Sequence, residues 1–339
     1  MGRPRVARAL PLALLAALSA CSPIYAVRSA AGEAGLLWRR RSIAKTLADP
    51  MTPAGLRDKL ELVTAVRGFA FERLHLARTR DYTTWTPVKG RVLTWLVSAS
   101  PRSRLESVPF RFPLIGSFPY KGWFRRDLAE REAAGLERRG LDAAVSGAID
   151  YNAPLPVSDP LPTTVLDLPD GDLAEILIHE LTHGTVYFKD ETGFDEAVAQ
   201  WAGARGAELF LTERFGADSP PLKEWRAGKA EESRRDALYG ELRARLQALY
   251  SGPGTDAAKV AGRAAVFDWA RAQARARGLA PLPKPLNNAV VLAHDLYAPD
   301  FAPFDALFKK NGGDWARTIA ALKALDRRDP YASLRAAAR

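Results

Sequence analysis

The chain reads as an α+β protein, predominantly helical, with a small sheet and a helical C-terminal part. Three features of the pattern predict this. Apolar residues recur at helical spacing over 53–80, 172–189 and 194–215. Between 87 and 123 the pattern changes to short runs rich in Val, Leu, Thr and Trp, broken by Pro and Gly, as strands and turns require. Beyond 215 helical spacing returns and dominates to the end. With 339 residues, 47% hydrophobic and 26% charged, the chain has apolar material for a sizeable core.

Residues 1–20 have the form of a targeting segment. Arg3, Arg5 and Arg8 make a positive start, 10–18 is an apolar run too short to span a bilayer, and Leu18-Ser19-Ala20 ends it in small residues. The next residue is Cys21, and Leu18-Ser19-Ala20-Cys21 resembles the bacterial lipobox. That resemblance implies lipidation of Cys21, which becomes the mature N-terminus, and a place on the periplasmic side of the bacterial envelope. Ser22 in the following position favours the outer membrane by the same analogy. Because Cys21 is the sole cysteine, an intramolecular disulfide and a thiolate metal ligand are both excluded.

The formal charge is +10, from 49 basic and 39 acidic residues. Without Arg3, Arg5 and Arg8 the balance is 46 against 39, or +7. Bases and acids are interspersed, so nucleic acid is not an expected partner; an anionic membrane surface or cell-wall material fits better.

In order along the chain, 21–41 is expected to be a lipid-anchored tether whose end carries Leu36, Leu37 and Trp38 near the membrane. A single domain over 42–339 follows, with a catalytic half at 42–215 and a helical half at 216–339. Thr52-Pro53 should open a long helix reaching about residue 80, with Leu56, Leu60, Val63, Val66, Phe69 and Phe71 on its apolar stripe. His75 on that helix, beside Arg73 and Arg78, reads as a surface residue. Strands are expected at 91–98, 108–112 and 141–150, with a charged helix at 124–140 ending on glycine. The aromatic loop 116–124 can either line a cleft or simply pack. Residues 151–166, with four prolines, suit an extended sheet edge beside the helix that follows. Farther on, 222–250 and 257–277 form a helical hairpin, and helices follow at 287–297, 304–310 and 314–325.

The chemistry centres on His179-Glu180-Leu181-Thr182-His183. This stretch lies in the expected helix 172–189, where Asp170 and Asp172 offer N-cap oxygens and Glu175 adds charge to the first turn. Residues four apart on a helix lie about 40° apart around its axis, so both imidazoles can reach one metal ion. Glu180 is turned by about 100° from His179, placing its carboxylate where it can act as a general base beside the ion. Only four histidines occur in the chain, and two fall at this spacing with an acid between them.

A catalytic zinc takes three protein ligands and leaves a position open. Residues 190–193 carry turn chemistry, and a second helix over 194–215 should run back alongside the first, with Asp195 as its cap. If the first helix continues about six residues past His183, or about 9 Å, its partner regains the level of the metal within two turns. Glu196 falls there, followed by small residues that permit close approach; Glu191 and Asp195 are the alternatives for the third ligand.

His179-Glu180-x-x-His183 followed by Asp195-Glu196-x-x-Ala199 resembles the gluzincin branch of the zincin metallopeptidases. More narrowly, the chain resembles a bacterial lipoprotein family described as predicted aminopeptidases. Residues 116–124 (Gly-Ser-Phe-Pro-Tyr-Lys-Gly-Trp-Phe) and Asn287-Asn288-Ala289 also carry the likeness, although that family usually has Asn at the position of Asp195. The resemblance implies a zincin-like domain, one Zn2+ per chain on His179, His183 and Glu196, Glu180 as general base, and a peptide or protein substrate. A second, oxyanion-stabilising group is expected from Tyr297 or His294, with Tyr151 and Tyr187 as rivals. A zinc-retaining envelope scaffold or chaperone, or a cell-wall binding lipoprotein, is the non-hydrolytic alternative.

Overall fold

The computed structural model describes residues 23–112, 116–150, 158–295 and 300–339. Thus Cys21, Tyr151 and Tyr297 lie outside the described residues, as does the first part, 151–157, of the sheet edge expected at 151–166. The architecture is α+β, predominantly helical with three small sheets. Three apolar cores organise it.

The largest core surrounds the motif helix, Asp170–His183, whose Leu173, Ala174, Leu177, Ile178 and Leu181 are buried. Helix Ala54–Glu72 contributes Leu60, Val63 and Val66, and helix Thr192–Phe215 contributes Phe194, Trp201 and Phe210. The same core takes Phe304, Trp315, Leu322 and Leu334 from the three short helices Ala302–Lys310, Trp315–Lys323 and Pro330–Ala338. The apolar boundary therefore does not follow the expected halves 42–215 and 216–339, because the last three helices bury their faces against the motif side. Trp201 anchors that contact: it stacks with Phe304 at 5.9 Å, and its indole N–H donates to Asp305 at 2.9 Å.

A second core joins Thr94–Pro101 to Tyr120–Trp123 and Leu141–Ala148, all antiparallel, with helix Arg126–Arg138 on one face. The third lies in the hairpin Pro220–Ser251 and Asp256–Ala276, which buries Leu238, Leu242, Leu246 and Phe267. Helix Asn288–Asp295 docks this hairpin on the sheet. Asn287 donates to the Ala143 carbonyl at 2.8 Å, and the Asn288 side chain donates to the Pro101 carbonyl at 3.0 Å. The Asn287-Asn288 pair is thus a structural strut.

Residues 23–38, expected as a tether with an amphipathic end, instead form a helix packed on the domain. Tyr25 meets Trp123 edge-on at 5.0 Å, Leu36 is buried, and the Leu36 carbonyl accepts from the Thr86 hydroxyl. Gly32 permits this approach, since a Cβ there would lie 2.1 Å from the Phe124 ring. Among the described residues, no helix is long and apolar enough to cross a membrane.

Two helices end earlier than the apolar spacing predicts. The first stops at Glu72, where the chain turns through His75 at φ 55° and brings Leu74 and Leu76 into the core; His75 itself is exposed. The motif helix stops at His183. Gly184, Thr185 and Val186 are poor helix formers, and the Thr185 hydroxyl donates to the Leu181 carbonyl while accepting the Ala77 N–H. Its N-terminus also differs from expectation. Pro169 occupies the cap position without a side-chain bond, while Asp170 pairs with Lys59 at 2.6 Å.

Candidate metal centre

Two antiparallel helices bring the chemistry together. The chain leaves the motif helix at Gly184, makes a loop in which Phe188 is buried, and starts back at Thr192. Glu196 therefore arrives opposite the histidines one turn into the return helix, by way of this loop and without the six further helical residues that spacing suggested. Close approach depends on small residues beyond the Ala197–Ala199 segment. At Gly203 a Cβ would stand 2.9 Å from the Glu175 carbonyl oxygen and 3.2 Å from His179 Cβ.

Asp195 is neither helix cap nor ligand. Its buried Oδ1 accepts the Phe188 N–H at 2.8 Å and ties the loop to the return helix. Glu191 occupies the cap position of that helix without a side-chain cap bond.

His179 Nε2 and His183 Nε2 are 3.2 Å apart, and the Glu196 carboxylate oxygens lie 3.5 Å from the first and 3.7 Å from the second. Ligands about 2.0–2.1 Å from a tetrahedral zinc are separated from one another by about 3.4 Å, so these three atoms match the edges of such a site. Two imidazoles and one carboxylate are also a catalytic zinc's donor set. Among the described residues, this is the one group of three or more His, Cys, Asp or Glu side chains that could hold a metal ion. The three side chains are 18–35% exposed, which leaves the ion's position accessible from solvent.

The electrostatics fit cation binding. Burial and the adjacent His179 push His183 down to about 4 against the pull of Glu196, so this imidazole is neutral and has a lone pair to offer at neutral pH. Burial would raise Glu196, but the hydrogen bond from His179 and the two nearby imidazoles hold it below its ordinary value. For His179 burial acts downward, while Glu196 and Glu180 overcome it and raise the group. Glu180 Oε1 stands 4.0 Å from His179 Nε2, beside the triad and outside it.

Two tyrosines that sequence reasoning did not select feel the charges of this centre. The Tyr120 phenol is raised by burial and then by Glu196 and Glu180, which places it within electrostatic reach of both. It comes from the aromatic loop 116–124. Tyr82 is buried, and burial, Asp150, Glu180 and Asp159 raise its phenol well above the usual value. The expected His294 is instead committed elsewhere: Nε2 lies 2.8 Å from Asp236, and the ring stacks on Tyr239 at 3.8 Å. Tyr187 is 63% exposed.

Fold and site together define an α+β protein with a helix-borne His-His-Glu group suited to a metal ion. Over residues 24–336 it matches the family described as a putative aminopeptidase, and the chain belongs to that family. Neither a curated protein nor a solved structure matches it.

Proposed function

We propose that the chain is a zinc-dependent peptidase, an aminopeptidase in keeping with its family, held at the bacterial envelope by a lipid on Cys21. The observation that carries this reading is the relation of Glu180 to the triad: an acid 4.0 Å from a ligand nitrogen, next to three groups already spaced for one ion. A structural zinc would need a fourth protein ligand and no base.

Zinc held by His179, His183 and Glu196 would polarise the scissile carbonyl and lower the pKa of a water molecule. Glu180 takes the proton from the attacking water as its oxygen bonds to the carbonyl carbon. It returns that proton to the nitrogen as the C–N bond breaks, giving a carboxylic acid and an amine; transfer of the acid's proton to the amine leaves a carboxylate and an ammonium group. Tyr297 lies outside the described residues, and among them Tyr120 is the candidate for the group expected from His294 or Tyr297. Its phenol stays protonated at neutral pH and can donate to the carbonyl oxygen as negative charge develops there.

Metal analysis of wild type, Glu180→Gln and Glu196→Ala, combined with hydrolysis of peptides with free and blocked N-termini, tests the reading. Glu180→Gln should keep about one zinc per chain and lose about 10²–10⁴-fold in rate. Glu196→Ala should lose zinc, whereas Glu191→Ala should retain it. Undiminished cleavage by Glu180→Gln would move the chemistry elsewhere. Wild type that holds zinc and cleaves nothing would be a zinc-holding envelope protein. The anchor has its own test, since mass spectrometry should find mature protein starting at an acylated Cys21.

A further inference from the structure

The helix Pro23–Trp38 has two faces, and only one of them meets the domain. At about 100° per residue, Tyr25, Gly32 and Leu36 fall within about 40° of one another, and all three are engaged: Tyr25 packs on Trp123, Gly32 lies against the Phe124 ring, and Leu36 is buried. The opposite face carries Val27, Ala30, Ala31, Ala34 and Trp38, the last four within about 60° of Val27 around the axis. All five are exposed. Trp38 is 91% exposed, more than any other large apolar side chain among the described residues, and Val27 is 68% exposed. An apolar stripe therefore looks outward from a helix whose inward side is already keyed to the domain.

The charges around the stripe have one sign. Between residues 23 and 48 there are five basic side chains, Arg28, Arg39, Arg40, Arg41 and Lys45, and one acid, Glu33, which is buried. Arg28 and Arg39 stand on the same flank of the stripe, about 100–120° round from Val27, and Arg40 and Arg41 follow its end. Elsewhere Arg73, Arg205, Arg226 and Arg277 each hold a carboxylate. Among the described residues the arginines by the stripe hold none: Arg39 donates to the Gly35 carbonyl at 2.8 Å, and Arg41 lies over the Trp85 ring at 5.2 Å. A second copy of this chain is a poor occupant, because laying one stripe on another in either direction brings these arginines towards one another. An anionic lipid surface is a good one. An indole settles at the level of the headgroups, valine and alanine reach the outermost acyl carbons, and guanidinium groups extend sideways to phosphates.

We propose that the outer face of Pro23–Trp38 lies flat on an anionic bilayer, with Trp38 in the interface and Arg28, Arg39 and Arg40 on the lipid phosphates. The proposal rests on the envelope placement given above, in which Cys21, two residues before the helix, carries the lipid; it does not depend on the peptidase chemistry. The lipid anchors and the helix orients. Three alanines, one valine and one tryptophan insert little area, so the contact is weak by itself and adds to an acyl chain as the second of two signals. Held along about 24 Å of helix, the domain keeps one side towards the bilayer instead of swinging about a single residue.

Fluorescence quenching by spin-labelled lipid tests this on the full chain reconstituted into vesicles, with a fluorophore attached through Ala34→Cys on the stripe or Ala272→Cys on the exposed side of the hairpin. On vesicles of phosphatidylethanolamine and phosphatidylglycerol, the label at 34 should be quenched and the label at 272 should not. On phosphatidylcholine alone the quenching at 34 should weaken, a comparison that needs no charge variant. Arg39→Glu with Arg40→Glu should lower the docking equilibrium constant at least about 25-fold, since each arginine beside an anionic surface is worth about fivefold in affinity. The same reversal on the hairpin, Arg234→Glu with Arg275→Glu, should leave it unchanged. A chain held through Cys21 alone would keep its signal whatever residues 39 and 40 carry. That result, or equal quenching at 34 and 272, would overturn the proposal. Acylation blocks the Cys21 sulfur, so each protein should take one label. Two labels per chain would overturn the anchor alone, and the difference between the two proteins would still read the helix face, because Cys21 is common to both.

Discussion

The packing of Asp170–His183 against Thr192–Phe215 and the docking of the helical hairpin on the antiparallel sheet are both buried, yet they are built from opposite materials. The first is apolar and uses residues of minimal size, with Ala197, Ala199, Ala202, Gly203 and Gly206 along one helix. The second centres on a charge. Asp142, 5% exposed, receives both guanidinium nitrogens of Arg263, one of them at 3.0 Å, and the Asn288 N–H at 3.0 Å. Tyr250 completes the network by donating to Asn288 Oδ1 at 2.8 Å. Small apolar residues set how far apart two helices stand, and the metal ligands depend on that spacing to tenths of an ångström. Directed hydrogen bonds set orientation, which is what a hairpin needs when few of its side chains reach the sheet.

The difference predicts how each junction fails. Asp142→Ala should be the most damaging change, because it leaves Arg263 buried without its partner; a loss of about 3–5 kcal/mol in denaturant unfolding is expected. Zinc bound per folded chain should be unaffected, since the hub contains no metal ligand. A loss below about 1 kcal/mol would mean that the hub does not hold the hairpin.

Asp159→Asn sharpens the contrast between a buried acid with a partner and one without. Asp159 is raised from 3.8 to about 7, so the folded state binds its proton more tightly than the unfolded state. Its favourable contribution is present below about pH 4 and is lost as pH rises towards 7. Asn removes that loss, and the variant should be more stable than wild type at pH 8, the two converging near pH 4. Melting curves across this range check the sign.

Two glycine substitutions compare the junctions at the scale of one methyl group. Gly203→Ala should cost about 1–3 kcal/mol and weaken zinc binding, because its Cβ presses on the Glu175 carbonyl and His179. Gly240→Ala, in the exposed middle of the hairpin's first helix, meets nothing within 4 Å and should stabilise by up to about 1 kcal/mol. Thermal unfolding with zinc titration separates the two effects; similar outcomes at both positions would remove the distinction.

Where a residue's role depends on neighbours three or four positions away, it was legible in the sequence. Histidines at 179 and 183 had to share a helical face, Glu196 had to return opposite them, and the hairpin and most later helices followed from apolar period and turn residues. Boundaries were less legible. The motif helix ends at His183, where the Thr185 hydroxyl donates to the Leu181 carbonyl and is itself held by the N–H of Ala77, far back along the chain. Asp195, expected as a cap, turned towards Phe188 for a similar reason: the loop offered a buried N–H that needed an acceptor.

The sequence by itself brought His179, His183, Glu196 and Glu180 into one candidate centre, because one helix and one reversal carry all four residues and local geometry leaves them little freedom. Tertiary structure alone decided what surrounds them. Tyr82 and Tyr120, whose phenols feel Glu180, come from separate segments, and no periodicity links them to it. Their placement depends on how the antiparallel sheet and the turn after Ala54–Glu72 pack on the rest of the domain. His294 shows the converse: its position in the chain was compatible with catalysis, but the hairpin supplied Asp236 and Tyr239 as closer partners. A side chain's chemistry is set by its type, whereas its charge state and partners are set by which distant segments exclude water from it.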